Sequence, residues 1–138
     1  IIADEPTKGL DRRTKAEIVN LIRDMTSGKS MLMITHDLAA AGEICDRIAV
    51  MYGGELLEEA STEAILNDPQ HPYTQGFIRS LPSRGLHPIP GTSPSLIDPP
   101  SGCRFHPRCP YAMEICKREH PQMVPLNRGH SSRCYLCH

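Results

Sequence analysis

With 138 residues, 16 acidic against 15 basic side chains and no tryptophan, the chain has no basic excess with which to grip a polyanion, which argues against non-specific nucleic-acid binding. No apolar run approaches the roughly 18 residues of a membrane span, and no basic-then-apolar leader opens the sequence. Six cysteines without such a leader point to a reducing, cytosolic setting, where clustered thiols bind metal or react rather than pair as disulfides. Because Ile1 starts directly in an apolar, strand-like stretch, the sequence is expected to be part of a longer chain.

"IIADEP" reads as a buried strand stopped by two acids and Pro6. From Asp11 to about Met25, the residues Ile18, Leu21, Ile22 and Met25 fall at i, i+3, i+4 and i+7, one face of a helix. Thr14 with Glu17 predicts a capping box, and Gly28 a stop. "SMLMI" is wholly apolar, as expected of a strand covered on both faces. Asp37 then caps a helix over "DLAAAGEIC", on which Cys45 is expected to be a small buried hydrophobe. "RIAVMYGGELLEEA" predicts two strands joined through Gly53-Gly54. Ser61 caps a short helix to Asn67, and Pro72 opens another with Tyr73, Phe77, Ile78 and Leu81 on one side. Periodicity disappears from Pro82 to Pro100, a linker rich in Pro, Ser and Gly. A short helix over "YAMEICKRE" is expected within the cysteine-rich end.

Asp4 and Glu5 stand at the C-terminal end of the first strand, the edge where open parallel sheets bind ligands. One carboxylate there can hold Mg²⁺ while its neighbour takes a proton from an attacking water. His36, at the end of the second apolar strand, could contact the same phosphate. Taken singly, such residues are more often structural, the acids as helix caps and the histidine as a surface side chain.

Their order and spacing are more specific. "IIADEPTKGLD" followed by "MLMITHDL" resembles the Walker B strand, D-loop and switch histidine of ABC transporter ATPases, and "RIAVMYGGELLEEA" resembles the hairpin after that histidine. The resemblance implies Asp4 as the Mg²⁺ carboxylate, Glu5 as general base, His36 as the γ-phosphate contact and Asp11 as the acid closing the D-loop toward an opposite subunit. Lys8 stands where that family more often has a small residue. Neither a G-x-x-x-x-G-K-[ST] phosphate loop nor a Leu-Ser-Gly-Gly-Gln signature occurs, and Gly28-Lys29-Ser30 precedes a strand instead of linking strand to helix. The chain alone is therefore expected neither to bind ATP well nor to hydrolyse it, whereas its parent should do both.

Cys103, Cys109, Cys116 and Cys134 are spaced C-x5-C-x6-C-x17-C, with Cys137 three residues further on. Structural zinc sites favour pairs two to four residues apart, a spacing that only Cys134 and Cys137 have. Iron–sulfur clusters tolerate wider spacing, because their ligands surround a larger core. Spacing alone leaves both open, with His106, His120, His130 and His138 as substitute zinc ligands. Arg104, Arg108, Lys117, Arg118 and Arg133 crowd the thiols, where they would offset a cluster's negative charge or form a solvated rim.

"HPYTQGFIRSLP", "IPGTSPSLIDPPSGCRFHPRCPYAMEIC" and "HSSRCYLCH" closely resemble the C-terminal extension of oligopeptide and dipeptide ABC transporter ATPases. The resemblance implies a [4Fe–4S] cluster on Cys103, Cys109, Cys116 and Cys134, with Zn²⁺ as the alternative and Cys137 outside the family pattern. The expected fold is α/β: the C-terminal half of an ABC-type P-loop nucleotide-binding domain (1–66), a bridging helix and Pro-rich linker (67–100) and a small irregular, metal-stapled extension (101–138). The resemblance further implies ATP and Mg²⁺ as the parent's cofactors, and a second ATPase subunit and transmembrane permease subunits as partners. A peptide-binding protein would be an indirect partner, and the location would be the inner face of the cell membrane. Rival readings are a stand-alone metal-binding regulatory module, a redox enzyme using the cysteines, and an importer ATPase for another solute such as nickel.

Overall fold

The computed structural model describes residues 1–127 and 129–137. The chain divides into two compact units, Ile1–Asp46 and Arg47–His138.

The first unit is built on β1 (Ile2–Asp4) and β2 (Leu32–Ile34), which pair in parallel with Ile2 opposite Leu32 and Asp4 opposite Ile34. Between them runs α1 (Arg12–Thr26), and after them α2 (Leu38–Ile44). The helix start differs from the sequence expectation. Asp11, not Thr14, is the N-cap, its Oδ1 accepting from the Arg13 and Thr14 amides at 2.9 and 3.1 Å. Thr14 Oγ1 donates to Asp11 Oδ2, and Glu17 instead pairs with Arg13 at 3.3 Å. An acid one residue ahead of the helix meets free amides directly, so the longer-range box is not needed. Asp37 caps α2 as expected, accepting from the Ala40 amide at 3.1 Å. Lys15 Nζ on Asp37 Oδ2, 2.6 Å away, ties α1 to α2. The core is small: Val19, Leu38 and Ala40 are buried with Thr7.

β2 is not covered on both faces. Ile2, Leu32 and Ile34 are 76%, 58% and 50% exposed, while Ala3 and Met33 on the opposite face are half-buried. Strand alternation sends the three large side chains to one side, and nothing in this unit packs there. Cys45 is likewise not a buried hydrophobe. It is the half-buried C-cap of α2, with its amide bonded to the Ala41 carbonyl.

The second unit centres on an antiparallel sheet. β3 (Arg47–Tyr52) and β4 (Glu55–Ser61) form the expected hairpin, with Gly53 and Gly54 at φ +58° and +80°, a turn conformation that favours glycine at both positions. A bulge follows Val50: Val50 faces Glu58 but Met51 faces Leu56, leaving Leu57 as the extra residue. Two consecutive residues, Leu57 and Glu58, are thereby both buried. Ser61 caps α3 (Thr62–Asn67), and Pro72 opens α4 (Pro72–Arg79), both as expected. Within α4, Pro72, Thr74, Gly76 and Ile78 are buried, Tyr73 and Phe77 are half-buried, and Leu81 lies past the helix.

The tail is not irregular. After α5 (Glu114–Arg118), shorter than expected, it adds β5 (Val124–Asn127) and β6 (His130–Ser132). β6 pairs with β4, giving the order β3-β4-β6-β5. Strands this short carry little periodicity, and the β4 partner of β6 lies some seventy residues away in the chain. The hairpin and α3, grouped by sequence with the Walker B segment, belong to this second unit. Its core joins Tyr52 and Leu57 to Cys103, Phe105 and Cys116, with Tyr73 and Ile89 against them. Phe105 meets Tyr52 and Tyr73 edge-on at 5.3 and 5.4 Å, the preferred aromatic geometry.

Candidate functional site

β1 and β2 end side by side, which brings Glu5 and His36 together. The Glu5 amide donates to the Ile34 carbonyl at 2.8 Å, prolonging the parallel ladder by one bond. Glu5 Oε1 then lies 2.8 Å from His36 Nδ1, and Thr35 Oγ1 donates to Oε2 at 3.4 Å. Thr35 Oγ1 also accepts from the Asp37 amide at 3.0 Å, so the capping turn of α2 orients the side chain holding Glu5. Glu5 has φ +46°, a left-handed conformation sparsely populated by residues other than glycine and characteristic of functional sites. The hydrogen bond from His36 holds the Glu5 carboxyl below its ordinary value, with partial desolvation opposing it. His36 is exposed, and with Nδ1 occupied its Nε2 is the atom left for a ligand.

Asp4 is exposed at the end of β1. Asp11 is occupied in capping α1, and the bonds from Thr14 and Arg13 hold its carboxyl low. Asp37 is also held low; burial opposes its charge, but the bonds from Lys15 and Ala40 outweigh it.

In the second unit, Cys103, Cys109, Cys116 and Cys134 line one recess with His71 and Phe105, its empty space about 310 Å³ including the mouth. Cys137 is not among its lining residues. Among the described residues, no three His, Cys, Asp or Glu side chains are grouped as they would be around a single metal ion. The Met113 amide is 3.5 Å from Cys116 Sγ, a donor that favours thiolate sulfur. Burial pushes the thiols of Cys103, Cys109 and Cys134 up, Cys134 to about 12, while the Phe105, Tyr111 and Leu136 backbones pull the other way. Four thiols on one recess are the donor set of a thiolate-ligated group.

Gly102 precedes the first of these cysteines. At φ +65°, a Cβ there would stand 2.4 Å from the Cys116 carbonyl oxygen. The close approach allows the Cys103 amide to donate to that same carbonyl at 2.8 Å.

The basic and histidine side chains have other work than the sequence implied. Arg104 pairs with Glu55 at 2.9 Å and also donates to the Gly53 carbonyl. Arg108 donates to the Ile89 and Pro90 carbonyls, each at 2.8 Å, strapping down the Pro-rich stretch. Arg133 bonds the Leu56 and Pro121 carbonyls, and Lys117 pairs with Glu114. Arg118 is exposed. His106 bonds the Cys103 carbonyl, His120 faces Glu55 at 3.4 Å, and His130 is buried against Glu58 at 2.7 Å. His138 lies outside the described residues.

Sequence reasoning missed Glu58 and His71. Glu58, fully buried, accepts from the Gln70 and His71 amides at 2.6 and 3.0 Å as well as facing His130. Burial lowers His71 to about 4, against the pull of Glu58 and the Arg133 carbonyl. The available signal was the consecutive pair Glu58-Glu59, since strand alternation directs one of two neighbouring acids inward.

The model for the C-terminal region of oligopeptide/dipeptide transporters matches residues 57–116. The dipeptide transport ATP-binding protein DppD of Caldanaerobacter subterraneus subsp. tengcongensis is 46% identical over 143 residues, covering 99% of this chain and 44% of that protein. DppD of Escherichia coli is 40% identical over 142 residues, covering 98% of this chain and 43% of that protein. The chain thus spans less than half the length of these relatives. The chain matches the C-terminal portion of the ATP-binding proteins of oligopeptide and dipeptide ABC transporters.

Proposed function

We propose that this chain is part of the ATP-hydrolysing subunit of a peptide-importing ABC transporter. The observation that carries the reading is the 2.8 Å contact between Glu5 and His36 at the adjoining ends of two parallel strands. Glu5 is the general base: its lowered carboxyl is ionised at neutral pH and can take a proton from water. His36 holds Glu5 through Nδ1 and presents Nε2 to the γ-phosphate. Asp4 supplies the Mg²⁺ carboxylate, and Asp11 fixes the start of α1 beside the opposite subunit. The phosphate loop and signature are absent from this sequence, so the chain alone does not hydrolyse ATP. No helix among the described residues is long and apolar enough to cross a membrane. As the ATPase of an importer, the subunit works with transmembrane permease subunits at the inner face of the cell membrane.

In the same reading Cys103, Cys109, Cys116 and Cys134 hold a [4Fe–4S] cluster. Support comes from four thiols lining one recess and from the Met113 amide, 3.5 Å from Cys116 Sγ. Bound there, such a group would staple the short, Pro-rich tail through the thiolates of these four cysteines.

Iron, zinc and acid-labile sulfide, measured in chain purified without air, test the cluster. Four irons and four sulfides, lost in Cys134→Ser but kept in Cys137→Ser, are expected; one zinc without sulfide would replace the cluster with a plain structural site. For the ATPase, Glu5→Gln in the full-length subunit should lower hydrolysis at least about a hundredfold with ATP binding retained. Unchanged hydrolysis would remove Glu5 from its role.

A further inference from the structure

Asp37 follows His36 directly and is held from the neighbouring helix: Lys15 Nζ, one turn into α1, lies 2.6 Å from Asp37 Oδ2. We infer that Lys15 is a positioning residue for the Glu5–His36 pair, acting through Asp37 and Thr35. The inference rests on the hydrolytic reading proposed above.

The route from Lys15 to Glu5 is a continuous set of bonds. Asp37 uses both carboxylate oxygens: Oδ2 faces Lys15, and Oδ1 accepts from the Ala40 amide at 3.1 Å, capping α2. Its own amide donates to Thr35 Oγ1 at 3.0 Å, and that hydroxyl donates in turn to Glu5 Oε2 at 3.4 Å. A hydroxyl accepts and donates at once, so Asp37 and Glu5 are joined through one oxygen. The other oxygen of Glu5 is 2.8 Å from His36 Nδ1, which returns the path to the residue before Asp37. Glu5 stands at φ +46°, a left-handed conformation that surrounding bonds must hold in place. At the other end, the Lys15 amide donates to the Asp11 carbonyl at 2.9 Å, so the helix start that carries the cation is itself fixed. The same two helices are tied a second time, far from Glu5 and in the open. There Arg23 Nη2 is 3.9 Å from Glu43 Oε2, with both side chains more than half exposed.

The two ties separate positioning from simple helix docking. In the full-length subunit, Lys15→Met removes the cation while keeping helix propensity and much of the apolar stem. The kcat for ATP hydrolysis is expected to fall about tenfold with the ATP Kd unchanged, the scale of one charge-assisted hydrogen bond, and Lys15→Arg to restore it to within about twofold. Arg23→Met, which breaks the distal tie, should leave kcat unchanged. In a Glu5→Gln background Lys15→Met should add no further loss, because its effect passes through the Glu5 carboxylate. Unimpaired kcat in Lys15→Met would overturn the inference, as would weakened ATP binding, an equal loss in Arg23→Met, or a further loss in the Glu5→Gln background. If Lys15→Met loses its far-ultraviolet dichroism, Asp37→Asn takes its place. It breaks the same ion pair while its side-chain oxygen can still cap α2; the same pattern is expected, and its absence overturns the inference. Glu5→Gln at full rate defeats the hydrolytic reading, whereas an inactive Glu5→Gln beside an unimpaired Lys15→Met defeats only the role of Lys15.

Discussion

Glu58 Oε1 lies 2.7 Å from His130 Nε2, and both side chains are buried. This contact joins β4 to β6 by side chains where the strands also pair by backbone, and the same carboxylate accepts two amides ahead of α4. An acid inside a sheet is tolerated only when its oxygens are fully engaged, as they are here.

Glu58→Ala removes the acceptor of two buried donors and one partly buried donor. At about 1–3 kcal/mol for each donor left unsatisfied, the second unit should lose at least about 3 kcal/mol. Urea denaturation followed by Tyr fluorescence checks this; a loss under about 1 kcal/mol would show the donors re-satisfied by water.

Gly102→Ala sets a methyl group against the Cys116 carbonyl at a left-handed φ. The backbone must shift, at a cost of about 1–3 kcal/mol. Hydrogen exchange of the Cys103 amide, bonded to that carbonyl, should accelerate while α1 amides are unaffected.

His71 sets an acid limit on the metal-free chain. Its folded value of about 4 lies below the ordinary 6.5, so between those pH values the unfolded chain binds a proton that the native one does not. Stability is therefore full above about 6.5 and falls as the pH drops toward 4, by on the order of 3 kcal/mol in all. Urea midpoints at pH 7 and 4.5 should differ in the native chain and converge in His71→Asn.

The Glu5 carboxyl should titrate below its ordinary value of 4.5, because His36 donates to the charged form. Carbon-13 NMR of the carboxyl carbon measures this directly. The contribution is present above the unfolded value and lost as the pH falls through the folded one. His36→Ala should move the midpoint upward, and no movement would mean that the contact does not persist in solution.

Most of the local structure could be read from the sequence. Asp37, Ser61 and Pro72 start their helices because capping chemistry involves only neighbouring residues, and Gly53-Gly54 makes its turn for the same reason. That Glu5 and His36 end two apolar strands could be read from the sequence; their direct contact came only with the parallel register.

Tertiary structure decided the rest, wherever the cause lay far along the chain. A bulge at Leu57 turned Glu58 inward, where alternation alone could not choose between Glu58 and Glu59. Pairing of β6 with β4 converted an apparently irregular tail into sheet and delivered Cys134 beside thiols some twenty residues earlier. Arginines and histidines that seemed arranged around the cysteines instead bond backbone carbonyls and buried acids. Residue types and spacing determine which chemistry is available; burial and long-range hydrogen bonding determine which partner each group takes.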